Sequence, residues 1–534
     1  MESKDRFELK ATDLAGRIGL LETKTSKVET PALLPVIHPV KQILPCDEIR
    51  SMGFEAVMTN AYTTFRRLND RASEGIHKII GFDGTVMTDS GGYQVLEFGS
   101  VDIDPLAIAD FEEKIGSDIA VILDRPTGLN VTRSFARKTV TDTLASARRT
   151  LSHISRDDVI WTLPVQGGSY LDLVSKSAKE SSGLDYGCYA LGSPTEVMEG
   201  YDFPLLVKMI VAAKTRLPAN RPFHLFGAGH PLILPLAVAM GCDMFDSASY
   251  MLYAKQDRYI SPSGTIRLDN LEYLPCVCSV CSSMTARELR GSKREERVLL
   301  LARHNLLILK EVMEETKQAI WEGRLWEYAR AKCSNHPLAF EAFKTAFNES
   351  KSLAKLADYG TPGFKERGIF VQDSMDLGRP EMQRHSERLR RAIELKRKTR
   401  LVIVPETISK PFLTSDLFRE ISILVDPYAT LVCYASTVFG LVPAELSDIF
   451  PVSQLTEILE SFPESDGILN GKVWPRVDVL LIDGNKTSAW VASQIDAYRA
   501  KKLRIKETEK RIVVSSNYKT FKKKLAEYSG VNRL

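Results

Sequence analysis

Three aspartates and a knot of cysteines carry most of the chemistry that this sequence could perform. Asp89, Asp124 and Asp246 each follow a short apolar run: Asp89 in Met87-Thr88-Asp89-Ser90-Gly91-Gly92-Tyr93-Gln94, Asp246 in Met244-Phe245-Asp246-Ser247. Two carboxylates on one face permit a nucleophile and a general acid/base at a glycosidic carbon. The two glycines after Asp89 let backbone amides approach a flat ligand, and the adjoining Tyr93 can stack on it. A single aspartate at a strand end is often only a turn or cap residue. Three at the ends of three strands point to chemistry.

Cys276, Cys278 and Cys281 form Cys-x-Cys-x₂-Cys, close enough to wrap one tetrahedral ion. His304, on a segment with helical periodicity, is the expected fourth ligand; His230 in Gly229-His230-Pro231 is the competitor, but it ends another strand run. Cys₃His leaves no position open for water, so one structural zinc per chain is expected. The eight cysteines are otherwise scattered, unlike the regular framework of a small secreted domain.

The elements that position these groups are short apolar runs: Ala32–Ile37, Ala56–Met58, Thr85–Thr88, Ile119–Leu123, Val159–Val165, Cys188–Leu191, Phe223–Phe226 and Cys242–Phe245. Few alternate strictly, as suits strands buried on both faces, and helical stretches separate them. Eight such units predict an α/β fold, a (β/α)₈ TIM barrel with a zinc-binding insertion, and chemistry at the carboxyl ends of the strands. The expected organisation is a catalytic domain over 1–345, a helical basic connection over 346–400, a small α/β or α+β domain over 401–500 and a basic tail over 501–534.

The 534 residues have a formal charge of only +3, but the segment from Arg499 onward holds 12 Lys/Arg against three Glu. A mildly acidic body with a basic tail suits contact with nucleic-acid phosphates. The N-terminal residues show no apolar signal-peptide core, and no apolar run is long enough to span a bilayer, so a cytoplasmic protein without membrane contact is expected.

Over residues 1 to about 345 the sequence resembles the tRNA-guanine transglycosylases, specifically their archaeal, archaeosine-forming type. The carrying segments, in the family's order, are Asp89-Ser90-Gly91-Gly92-Tyr93-Gln94, Val165-Gln166-Gly167-Gly168, Phe226-Gly227-Ala228-Gly229-His230-Pro231, Phe245-Asp246-Ser247 and the cysteine motif with His304. Asp124-Arg125-Pro126-Thr127 and Gly192-Ser193-Pro194 depart from the bacterial pattern, and the chain continues for about 190 residues past the zinc helix. All three features favour the archaeal type.

The resemblance implies exchange of guanine 15 in the D arm of tRNA for free 7-cyano-7-deazaguanine, through a covalent enzyme–RNA intermediate. It implies Asp246 as nucleophile and Asp89 as the proton-handling group. Asp124, Gln166, Ala190, Gly192, Ser193 and Ser90 would bind the base, with Tyr93 and Phe226 as plates on its two faces. It also implies a homodimer. The alternatives are a queuine-type enzyme acting on the anticodon loop and a non-catalytic tRNA-binding paralogue; retention of all three aspartates favours catalysis. Archaeal members commonly end in a β-rich PUA domain. The basic, largely non-β-patterned Lys501–Leu534 does not resemble one, which makes a separate PUA-domain protein a candidate partner.

Overall fold

The computed structural model describes residues 6–92, 104–348, 356, 361–396, 400–405, 411–428, 430–436, 438–457, 478–482, 512–515 and 523. The chain forms two compact units, Met1–Pro362 and Gly363–Leu534.

The first unit opens with an antiparallel meander, β1 (Phe7–Asp13), β2 (Gly16–Glu22) and β3 (Lys27–Thr30). Eight parallel strands follow: β4 (Ala32–Pro35), β5 (Ala56–Asn60), β6 (Thr85–Asp89), β7 (Ile119–Val121), β8 (Ile160–Val165), β9 (Cys188–Leu191), β10 (Phe223–Leu225) and β11 (Met244–Ser247). Each of β5 to β10 pairs with the next, and β11 pairs with β4 in the register Met244↔Ala32 to Ser247↔Pro35. A bridge between Val36 and Met58, with Ile37 N–H donating to Met58 O at 2.8 Å, closes the ring. This is the expected barrel, and its strands fall on the eight apolar runs.

The short strands have nearly every residue buried because side chains fill the barrel inside and helices cover it outside. One apolar cluster joins Phe7, Leu21 and Val28 of the meander to Leu34, Met58, Met87, Ile160 and Met244 of the barrel. At the amino end Arg17 grips Asp243, Nε to Oδ1 at 2.6 Å and Nη2 to Oδ2 at 2.7 Å, with both side chains nearly fully buried. A two-pronged guanidinium–carboxylate pair is the geometry that tolerates burial. That end is sealed, which leaves the carboxyl end for chemistry.

After the barrel comes a hairpin, β12 (Arg258–Ser261) with β13 (Gly264–Arg267), then the cysteine loop and a long helix, Arg294–Trp321. Asn305 on that helix accepts from Ile260 N at 2.7 Å and donates to Tyr250 O and Arg258 O. One buried amide therefore locks helix to hairpin.

The second unit contains β14 (Ile369–Val371), β15 (Arg400–Pro405), β16 (Thr430–Ser436), β17 (Gly440–Pro443), β18 (Leu455–Glu457), β19 (Asp478–Ile482) and β20 (Ile512–Ser515). Five of these form a mainly parallel sheet, β17-β16-β15-β19-β20, with only β17 antiparallel. Val402, Val404, Val432, Tyr434 and Val442 share its core with Met382 and Leu389 of the helix Pro380–Lys396. The segments expected as 346–400, 401–500 and 501–534 are thus interleaved: the first supplies a core helix and the last an outer strand. Ile512, Val513 and Val514 are three β-branched residues in a row, and the pairing of Ile512–Ser515 with β19 outweighs the basic sequence around them. The remaining residues of 501–534, Lys523 apart, lie outside the described residues.

Candidate active site

Asn60 and Asp89 are register partners at the carboxyl ends of β5 and β6. Asn60 Oδ1 caps the helix Ala61–Leu68 by accepting from Thr63 N at 2.7 Å, while its Nδ2 donates to Asp89 Oδ2 at 3.1 Å. Asp89 is half-buried. Burial pushes its carboxyl up to about 6, and the Asp246 charge pushes the same way, against hydrogen bonds from Gly91 N–H and Asn60.

Asp246, on β11, is 8% exposed. Its Oδ1 accepts from His224 Nε2 at 2.8 Å and from Gly227 N at 3.0 Å. The two carboxyls of the sequence motif therefore lie near enough for the Asp246 charge to act on Asp89, each held by different partners.

Asp124 follows β7. Burial raises its carboxyl to about 7; the Gln166 hydrogen bond lowers it and the Asp89 charge raises it further. Gln166 Nε2 donates to Asp124 Oδ2 at 2.5 Å, and Gln166 Oε1 accepts from Thr127 N, Thr127 Oγ1 and Ser193 Oγ, each at 3.0 Å. The Gln166 oxygen is thus taken up by protein groups, while its Nε2 holds Asp124 in place. The Arg125-Pro126-Thr127 segment that departs from the bacterial pattern supplies two of its donors.

Gly92 is required by this packing, because a Cβ there would collide with Asp124 Oδ1; at Gly192 it would collide with the Gln166 amide. Ser193 has φ 58°, and its Oγ accepts from Thr127 N and Gly128 N at 2.9 and 3.2 Å. Its hydroxyl pins two loops together. Ser90, expected at the base, is buried and donates to Ile122 O at 3.0 Å, tying the ends of β6 and β7. Ala190 lies inside β9 between Pro164 and His224, in the barrel wall, and the turn begins at Gly192. Phe226 is half-buried beside His224, with ring centroids 4.8 Å apart. Tyr93, its expected counterpart, lies outside the described residues.

At the cysteine loop the ligand atoms of Cys276, Cys278, Cys281 and His304 all lie within 4.8 Å of one another, a set that could hold a metal ion. His304 Nδ1 is 3.5 Å from Cys278 Sγ and 3.4 Å from Cys281 Sγ. Its Nε2 is 2.8 Å from the Ile260 carbonyl. A carbonyl only accepts, so Nε2 carries the proton and Nδ1 turns a lone pair to the thiols, as a metal ligand must. The hydrogen bond from Cys281 lowers the Cys278 thiol from its ordinary value. Tyr259 stacks on His304 at 3.8 Å. His230 is instead packed with Tyr201 and Phe203.

Asn60, His224, Thr127, Tyr259 and Asn305 were not among the expected residues. Asn60 and His224 carried a signal all the same: a polar residue ending one apolar run, and a lone histidine within another.

The family described as Queuine tRNA-ribosyltransferase matches residues 13–338. Among curated proteins the chain is similar to the tRNA-guanine(15) transglycosylase of Sulfolobus acidocaldarius, 40% identical over 451 residues, 84% of this chain and 88% of that protein. It is likewise similar to the proteins of that name from Aeropyrum pernix, 45% identical over 73% of this chain and 76% of the relative, and from Pyrobaculum aerophilum, 42% identical over 84% and 89%. Among the described residues no helix is long and apolar enough to cross a membrane.

Proposed function

The chain belongs to the queuine tRNA-ribosyltransferase family, and from that membership we propose that it exchanges guanine 15 of tRNA for free 7-cyano-7-deazaguanine. It is a pentosyltransferase of the tRNA-guanine(15) transglycosylase kind. The observation that carries the reading is the carboxyl pair, Asp246 with one oxygen tied and Asp89 held near 6.

Asp246 attacks the ribose C1′. A C1′–O bond forms as the C1′–N9 bond breaks, and that electron pair leaves on guanine. Asp89, poised to carry a proton near neutral pH, donates it to the departing base. The incoming base gives its N9 proton to Asp89 and attacks C1′ from the vacated side, releasing Asp246. Two inversions retain configuration, and the exchange needs neither water nor a nucleotide cofactor. Asp124, aimed by Gln166, accepts from the N1–H and exocyclic amine of a guanine-type base. Phe226 and Tyr93 are its plates, with the Gly192-Ser193 turn and Ser90 framing the pocket. The target nucleotide must first flip out of the tRNA core.

Zinc is the ion that Cys276, Cys278, Cys281 and His304 best fit, by sulfur-rich donors and tetrahedral count. One ion per chain would act structurally, pinning the loop to the helix Arg294–Trp321. A cytoplasmic homodimer completes the reading, with a separate PUA-domain protein as an additional partner for tRNA.

The test incubates the protein with unmodified tRNA and labelled guanine, with and without 7-cyano-7-deazaguanine, and maps the labelled nucleotide. Asp246→Asn should abolish the covalent RNA adduct. Label at the anticodon, or undiminished exchange in both Asp246→Asn and Asp89→Asn, overturns the reading.

A further inference from the structure

We propose that His224 is the positioning residue for Asp246, selecting which of its oxygens attacks the ribose. The inference rests on the base-exchange reading above.

His224 is the middle residue of β10, between Phe223 and Leu225, and is 0% exposed. An apolar side chain would suit such a place better. The imidazole instead spends its one donor on Asp246 Oδ1, at 2.8 Å. Its other nitrogen, Nδ1, is buried with no hydrogen-bond partner. A proton on Nδ1 would have nothing to donate to, so the ring proton sits on Nε2, aimed at the carboxylate.

Gly227 N–H reaches the same oxygen at 3.0 Å. Both donors therefore converge on Oδ1. Among the described residues no donor is placed on Oδ2, which is left as the oxygen with its lone pairs unshared. Hydrogen bonding draws charge onto Oδ1 and fixes the carboxylate rotamer, so that Oδ2 is the attacking atom.

The four residues His224 to Gly227 do a second thing. Phe226, just past the end of β10, packs its ring against the imidazole with 55° between the planes. The segment that orients the nucleophile also carries a plate for the base, so the bond to be broken is registered to the atom that breaks it. An error of about 1 Å in such an alignment costs on the order of 100-fold in rate.

The test compares His224→Leu, His224→Gln and His224→Asn in the full-length chain, using unmodified tRNA and labelled guanine. The readouts are kcat, the KM for each substrate, and the fraction of folded enzyme trapped as covalent tRNA adduct on a denaturing gel. Glutamine carries an N–H about as far out as imidazole Nε2, and asparagine does not. Leucine and asparagine should lower kcat by about 100-fold while both KM values stay within about threefold, and glutamine should recover at least about tenfold. Should the leucine variant not fold, the glutamine–asparagine pair decides alone. Equal kcat in those two, or losses matching only the unfolded fraction, overturns the role of His224. An absence of exchange and adduct in the unaltered protein would overturn the base-exchange reading instead.

Discussion

Asn60 and Asp89 sit side by side across β5 and β6, and the amide of one holds the carboxyl of the other at 3.1 Å. The same Asn60 caps a helix through its other atom, so a substitution can separate the two duties. Aspartate at 60 keeps the cap acceptor but sets a second negative charge beside Asp89. Like charge disfavours ionisation, so a carboxyl already near 6 moves higher. Asn60→Asp should shift the pH optimum of kcat/KM upward by about one unit while the melting temperature changes little. An unmoved optimum would disconnect Asn60 from the chemistry.

Asp124 must be ionised to accept two hydrogen bonds from the base, yet burial raises its carboxyl to about 7. The guanine KM should therefore fall as pH rises from about 5.5 to 7 and level off above, with a limiting slope of about tenfold per unit. Steady-state KM measured across that range checks it. In Asp124→Asn the slope should disappear along with tight base binding.

The same group makes a prediction about stability with the opposite sign to activity. A carboxyl raised on folding binds more protons folded than unfolded between its unfolded value near 4 and its folded value near 7. Stability is thus lost as pH rises through that window, and above it the buried charge remains a cost. Asp124→Asn should be the more stable protein at pH 8, by roughly 2 kcal/mol because the carboxyl still borders the cleft, and should lose that advantage near pH 4. Thermal melts at the two pH values decide; a variant less stable at pH 8 would contradict the linkage.

Removing a ligand should unpin the loop. Cys278→Ser or His304→Ala should reduce bound zinc well below one equivalent and lower the melting temperature by at least about 5 °C. Metal content and melting, measured on the same preparation, test this together. Full zinc occupancy with unaltered melting in both variants would exclude a structural Cys₃His site.

Lys522, Lys523 and Lys524 lie beyond β20, so their charge can be removed without deleting a strand. If they neutralise tRNA phosphates, replacing all three by glutamine should raise the tRNA KM and flatten its log–log salt dependence by about two units. An identical slope would make the cluster a merely solvated surface.

The barrel was legible because its eight strands are buried on both faces and so read as eight uninterrupted apolar runs. The metal cluster was legible because its spacing is local, apart from one histidine on a helix. Other features depended on distance in sequence. The support around Gln166 was not legible, because Thr127 and Ser193, which donate to its oxygen, come from other loops. His224 looked like a strand residue because its partner lies 22 residues away. The boundary near 500 failed to appear in the fold because strand pairing there overrides a change in composition.

The closure of the ring has a consequence for the order in which the chain matures. Every barrel strand from β5 to β11 meets its predecessor soon after synthesis, but Ala32–Pro35 must wait for Met244–Ser247. Asp246 lies on that late strand. A nascent chain still short of it holds an open, inert sheet, because contacts so far apart in sequence form slowly and only once both ends exist. The nucleophile arrives with the final stave, so no unfinished barrel can bond to an RNA it cannot release.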